Sequence, residues 1–202
     1  STRKESSAAS DVYKRQTSTK DALRAQLLHA RRTRSAEQRE EDNQAWCRGV
    51  RSLLTPEMKV AAYYPLGTEP GGSAFVDTVQ AACAQVYLPI SAPQGQLLWS
   101  LYDGPHSMRP GALGIAEPVG ERHSSSILAT LDLILAPAMA VSPSGMRLGK
   151  GAGYYDRALS PLPTGHPPVV ALVHSTEVRE VPCEEHDRPV DGILTEREMR
   201  WL

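Results

Sequence analysis

Two consecutive stretches limit what this chain can fold into: the apolar run Leu131-Asp132-Leu133-Ile134-Leu135-Ala136-Pro137, and the glycine-rich segment from Gly145 to Arg157 that follows it. A near-continuous apolar run fits a central strand covered on both faces by a parallel sheet's helices. After the glycines, the composition permits a helix over Tyr155 to Leu159. Strand, glycine loop, helix start is the order in which parallel α/β proteins build anion sites.

The residue types of the loop, Gly145-Met146-Arg147-Leu148-Gly149-Lys150-Gly151-Ala152-Gly153-Tyr154-Tyr155-Asp156-Arg157, suit that role. Glycines let the backbone approach a ligand and turn its N–H groups inward. Arg147 and Lys150 supply full charges for phosphate oxygens. Tyr154 and Tyr155 offer ring faces and hydroxyls. Asp156 is a candidate oxygen ligand for a magnesium ion. A surface glycine turn followed by a helix with buried tyrosines is the plain alternative. The segment is not a P-loop, because no Gly-Lys-Ser/Thr follows a four-residue spacer.

The remaining features narrow the class. At 202 residues, one domain with a substantial core is expected. A net charge of -1 argues against a mainly electrostatic nucleic-acid binder, although residues 1–34 carry +6 and the rest -7. Cys47, Cys83 and Cys183 have no metal-type spacing and fit a reducing cytosol better than a disulfide framework. No apolar run is long enough to span a membrane, and no signal-peptide core stands near the start. Gly-x-Ser-x-Gly and His-Glu-x-x-His are both absent.

In chain order, residues 1–18 are polar and are expected to be disordered or a non-native extension, leaving 19–202 as the folded domain. Lys20 to Arg32 fits a helix with Leu23, Leu27 and Ala30 on one face, and Lys20 and Arg24 share another. Ser35-Ala36-Glu37-Gln38 has the form of a capping box opening a second helix, with Trp46, Val50, Leu53 and Leu54 as its buried stripe. Strands are expected at Lys59–Tyr64, Gln85–Ile90, Leu97–Tyr102, Leu131–Ala136, Val169–Val173 and Gly192–Thr195. Helices are expected at Phe75–Cys83 and, shorter, at Ser124–Leu128. Asp103 to Gly120, rich in Gly and Pro, is expected to be an ordered loop. Glu69 falls in the loop after the first strand, where open sheets place ligand groups. Trp99 is expected in the core, and Asp187 and Asp191 lie in a polar loop where they could reach a metal. The residues alone imply an anion-binding α/β enzyme, phosphate-binding and magnesium-dependent, with the substrate left open.

Arg147-Leu148-Gly149-Lys150-Gly151-Ala152-Gly153-Tyr154-Tyr155-Asp156 resembles the signature of the 5-formyltetrahydrofolate cyclo-ligase (5,10-methenyltetrahydrofolate synthetase) family. Lys20-x-x-x-Arg24, Tyr64-Pro65 with Glu69, Gly114-Ile115-Ala116-Glu117-Pro118, and Pro182-x-x-x-His186-Asp187-x-x-Val190-Asp191 resemble further segments of that family. The chain departs from the pattern at Ala152, where the family has glycine, in lacking a Gln after the strand before His174, and in the turn after Glu69.

The resemblance implies a single-domain, mostly parallel sheet flanked by helices, of the NagB/RpiA/CoA-transferase-like kind. It implies ATP-dependent conversion of 5-formyltetrahydrofolate to 5,10-methenyltetrahydrofolate through a phosphorylated formyl group, releasing ADP and phosphate. By the same resemblance, ATP is held by Lys20, Arg24, Arg147, Leu148, Gly149, Lys150, Gly151, Ala152, Gly153 and Tyr155. The folate meets Tyr64, Glu69, Lys150, Gly151, Gly153 and Tyr154, and Lys150, Arg147 and Tyr154 act in catalysis. Mg2+ is bound by Asp156 and Asp187, with Asp191 in reserve. A cytoplasmic monomer acting on small molecules, with no nucleic-acid or membrane partner, is expected. The alternatives are a sugar-phosphate isomerase or CoA-transferase-like enzyme, and a non-catalytic folate- or nucleotide-binding protein.

Overall fold

The computed structural model describes residues 19–111, 114–183 and 188–202. Seven strands form one sheet: β1 (Lys59–Ala61), β2 (Gln85–Ala92), β3 (Gln96–Leu101), β6 (Leu133–Pro137), β9 (Val169–Leu172), β10 (Gly192–Leu194) and β11 (Met199–Trp201). Their order is β11-β10-β9-β6-β1-β2-β3, with the four central pairings parallel and the two outer ones antiparallel. The mostly parallel α/β sheet expected from the sequence is therefore the architecture.

The apolar run before the glycine loop forms β6, which lies between β1 and β9 with Leu133 to Ala136 all buried. From β1 the chain moves outward to β2 and β3, then returns to lay β6 on the other side of β1. That reversal opens a crevice beyond the C-terminal ends of β1 and β6, where doubly wound sheets hold ligands.

Helices cover the sheet. The helix α1 runs through residues 19–32 and α2 spans Ala36–Arg51. Ser35 caps α2 by accepting the Gln38 N–H, and Trp46 and Val50 bury its apolar side. Leu53 and Leu54 lie past the helix end and only partly buried, because Ser52 already closes the last turn. In α1, Leu27 is buried and Leu23 half-buried, but Ala30 is exposed, so the apolar stripe is narrower than its spacing implies. The short helices α3 (Phe75–Gln80) and α4 (Tyr154–Leu159) complete the covering, and where a short helix was expected from Ser124 a 3-10 stretch stands at Ser125–Thr130.

Two small two-stranded units escaped the sequence pattern. The segment read as a loop, Asp103 to Gly120, contains β4 (Met108–Pro110) paired antiparallel with β5 (Ala116–Pro118). Likewise β7 (Ala140–Val141) pairs with β8 (Arg147–Leu148), which presents the glycine loop beside the end of β6. Trp99 is fully buried, as expected, and its indole N–H donates to the Ser125 hydroxyl.

Candidate active site

Two cavities meet at the crevice. One, of about 230 Å³, is walled by rings and apolar groups, among them Tyr63, Tyr64, Pro89, Leu97, Tyr154 and Tyr155. The other, of about 470 Å³, carries the cations Arg24, Arg31, Arg32 and Lys150. Leu66, Glu69 and Lys150 belong to both, so they form the partition.

The partition is an ion pair. Lys150 Nζ lies 2.7 Å from Glu69 Oε1, with Glu69 8% exposed and Lys150 54% exposed. The other carboxylate oxygen, Oε2, accepts the Leu66 N–H at 2.9 Å. The turn Leu66–Glu69 therefore fixes the carboxylate, while the lysine on its flexible stem remains free to swing. Glu69 lines both cavities beyond the C-terminal end of β1.

The glycine loop is held from both sides. Arg24 of α1 donates through Nε to the Gly149 carbonyl (2.9 Å) and through Nη1 to Asp21 (2.7 Å). Arg157 of α4 donates through Nε to the Gly95 carbonyl between β2 and β3 (2.9 Å), and its Nη2 reaches the Ala152 carbonyl. Gly151 and Gly153 have φ of +105° and +71°, values that a side chain would resist. Ala152 does not: Gln94 is the sole non-glycine residue with positive φ among the described residues. The departure from glycine at Ala152 thus carries no backbone strain.

The expected site residues divide as follows. Arg147, Gly149, Lys150, Ala152, Gly153, Tyr154, Tyr155 and Asp156 all border the aromatic cavity, together with Tyr64 and Glu69. Arg24 borders the cationic one and packs over Gly151. Lys20 stands one turn before Arg24 on α1 and lines neither cavity. Leu148 lines neither cavity, because its side chain is buried in a small core with Leu27 and Met139. Asp156 is ion-paired with Arg147, whose guanidinium also donates to the Pro137 carbonyl at 3.0 Å. Asp191 caps β9 by accepting the Val169 N–H at 2.8 Å. Asp187 lies outside the described residues, and among those described no three acidic, His or Cys side chains gather in a metal-like cluster.

Tyr155, expected to meet the nucleotide, borders the aromatic cavity and not the cationic one. Its ring packs edge-on against Trp99 at 6.2 Å, under the Arg147 guanidinium at 5.7 Å. Its hydroxyl is buried with no hydrogen-bond partner. Burial, and then the nearby Glu69 charge, push that hydroxyl well above the usual tyrosine range, so it stays neutral on a ring that borders the aromatic cavity.

Sequence reasoning missed Arg31. It is 2% exposed and paired with Glu177, Nε to Oε1 at 2.7 Å and Nη2 to Oε2 at 2.7 Å. Nη2 also donates to the Ala138 carbonyl, and Glu177 Oε2 accepts the His174 N–H as well. This bidentate pair fastens α1 to the end of β9. The one available signal was the seven-residue spacing from Arg24, which puts both arginines on one helix face. Behind the cationic cavity, His174 is buried edge-on against Trp46 at 4.6 Å. Burial, and then the Arg34 and Arg31 charges, lower its pKa from 6.5 to about 3.

Fold and site together define an α/β enzyme with a cationic cavity and an aromatic cavity joined at the switch point of a parallel sheet. Over residues 16–196 the sequence matches the model of the 5-formyltetrahydrofolate cyclo-ligase family, and the chain belongs to that family. It is 35% identical over 187 residues to a 5-formyltetrahydrofolate cyclo-ligase of Mycolicibacterium smegmatis, covering 87% of this chain and 93% of that one. It is similar to the NMR structure of Aquifex aeolicus 5,10-methenyltetrahydrofolate synthetase, with a TM-score of 0.75, 31% identity and coverage of 90% and 92%. The fold is also that of a 5,10-methenyltetrahydrofolate synthetase from Mycoplasma pneumoniae, at a TM-score of 0.69 and 20% identity, covering 88% of this chain and 98% of that one. Among the described residues no helix is long and apolar enough to cross a membrane.

Proposed function

We propose that this chain converts 5-formyltetrahydrofolate to 5,10-methenyltetrahydrofolate and consumes ATP to ADP and phosphate. The observation that carries the reading is the meeting of an aromatic and a cationic cavity at one lysine, Lys150. A ring substrate and a polyphosphate need such different surroundings, and transfer between them needs a shared boundary.

The chemistry matches that division. The formyl oxygen of the substrate leaves poorly as it stands. Transfer of the γ-phosphoryl group to it makes a phosphate leaving group. The second folate nitrogen then attacks the formyl carbon and loses its proton, and phosphate departs with the C–O bond electrons. Phosphoryl transfer is catalysed mainly by positioning and charge neutralisation. Lys150, Arg24 and the inward N–H groups of the glycine loop supply these, and Arg147 adds charge at the boundary.

Mg2+ fits this arrangement as an ion held chiefly by ATP oxygens and water, which is its usual mode. Asp156 would contribute a carboxylate oxygen, and the ion would neutralise charge on the transferred group. Tyr64, Tyr154 and the carboxylate of Glu69 would take the pterin. In this proposal the enzyme is a monomer acting on small molecules. The net charge of -1 and the spacing of the cysteines favour small-molecule partners in a reducing cytosol.

The test mixes protein, Mg2+, ATP and 5-formyltetrahydrofolate and follows methenyl absorbance together with ADP. Equal formation of both is expected. Lys150→Ala should lower the rate by about 10²- to 10³-fold, the usual cost of losing one charge-stabilising donor. Unchanged turnover in that variant would remove Lys150 from the mechanism. Ligand binding with no ADP would sink the enzymatic reading.

A further inference from the structure

The Gly-Ile-Ala-Glu-Pro segment carries a carboxylate that the reading above leaves unused. Glu117 lies in β5, half-buried, and lines the aromatic cavity with Ser91 and Ile115. Its Oε1 accepts the Ser91 N–H at 2.8 Å. That N–H is exposed to the crevice because β1 stops short: the β1–β2 register ends at Ala61 opposite Tyr87, before Ser91 is reached. One oxygen of Glu117 therefore replaces a missing strand partner.

The second oxygen is differently placed. Arg109 stands directly opposite Glu117 in the β4–β5 pairing, where opposite charges ordinarily meet. Its guanidinium turns away, donating instead to the His106 and Met108 carbonyls. No ion pair involves Glu117 among the described residues. Room for the carboxyl comes from Gly111, where an added Cβ would sit 2.5 Å from Oε2. The other carboxylate well inside this cavity wall, Glu69, is neutralised by Lys150. Glu117 is thus a half-buried acceptor beside Pro89, Leu97 and Ile115, whose second oxygen takes no hydrogen bond or ion pair from the other described residues. A ligand N–H that reaches this oxygen gains a charge-assisted hydrogen bond in place of one to water.

We infer that Glu117 is a specificity-determining residue of the ring cavity, accepting an N–H from the reduced pterin that Glu69 does not take. The inference rests on the folate reading of this cavity. The ring has such donors at its 2-amino group and N3 and at N8. The anionic tail of a folate is excluded as the partner by charge.

The test compares wild type with Glu117→Gln. The glutamine carbonyl keeps the Ser91 contact, and its NH2 then faces the ligand donor. The expected result is a KM for 5-formyltetrahydrofolate raised about 10- to 100-fold, the effect of losing a hydrogen bond to a charged group. The KM for ATP and the melting temperature should not move. Two substrates identify the donor: one with the 2-amino group replaced by methyl, the other with N8 replaced by carbon. Whichever lacks the Glu117 partner should bind wild type and Glu117→Gln equally weakly. Additive losses with both substrates assign the donor as N3–H; the inference is overturned by an unchanged folate KM, or by a shift in ATP KM and melting temperature together. Wild-type turnover with ADP release in the same assay separates its failure from failure of the folate reading.

Discussion

The two cavities are built by opposite strategies. The aromatic cavity is assembled locally around strand ends: Tyr63 and Tyr64 follow β1, Pro89 and Ser91 lie on β2, and Pro137 and Ala138 close β6. One wall is the sheet's own positions, continued past the last paired residue, and the glycine loop with α4 supplies the facing wall. The cationic cavity instead depends on α1, which contributes no strand and is fastened by arginines to segments far along the chain. The ring-lined cavity thus rests on the sheet and the glycine loop, whereas the cationic one depends on one docked helix.

Breaking that dock should give the largest effect. Arg31→Met leaves Glu177, only 4% exposed at its side chain, as a buried charge without its partner. A loss of about 3–5 kcal/mol of stability is expected from denaturant melts. The double variant Arg31→Met, Glu177→Gln should recover part of it, and recovery failing would mean that the pair is not what holds α1. If the comparison is right, the single variant also weakens ATP binding more than folate binding.

Glu69→Gln sharpens the contrast from the other side. It removes the charge that Lys150 and the ring share while keeping an acceptor for the Leu66 N–H. A rise in folate KM worth about 1.5–3 kcal/mol is expected, with a smaller change for ATP. Equal effects on both would show the partition to be one site rather than two.

The effect smallest at neutral pH is a pH dependence behind the cationic cavity. His174 has its pKa lowered from 6.5 to about 3 in the folded protein. Below pH 6.5 the unfolded chain takes up this proton and the native protein does not, until about pH 3. Its contribution to stability is therefore full above pH 6.5 and is lost as pH falls through that window, by up to about 1.4 kcal/mol per pH unit. His174→Phe should make unfolding free energy less steep in pH between 6.5 and 4, measured as the difference between the two proteins. Identical slopes would assign the pH dependence elsewhere.

What the sequence disclosed follows the same division. The apolar runs of β6 and β9 are long enough to name themselves, and the glycine loop states its need for positive φ at Gly151 and Gly153. The Glu69 loop could be placed because it directly follows a strand. The hairpin β4–β5 could not: its strands are three residues each and both contain proline, so only tertiary pairing defines them. Tyr155 was legible as a ring beside a glycine loop, but whether it faced the nucleotide or Trp99 depended on how α4 packs. The Arg31–Glu177 pair was invisible because two charges 146 residues apart leave no periodic trace. The substitution at Ala152 raised a question about backbone shape that only its negative φ could answer.

The hydrogen bond from Arg24 to Gly149 spans 125 positions of sequence. During synthesis, a chain that has emerged as far as β3 already holds α1 and three adjoining strands, yet its glycine loop has not been made. Closing so long a contact is slow compared with forming local ones. The glycine loop, which borders both cavities, therefore comes late in synthesis, and the Arg31–Glu177 pair fastens α1 only when β9 has passed.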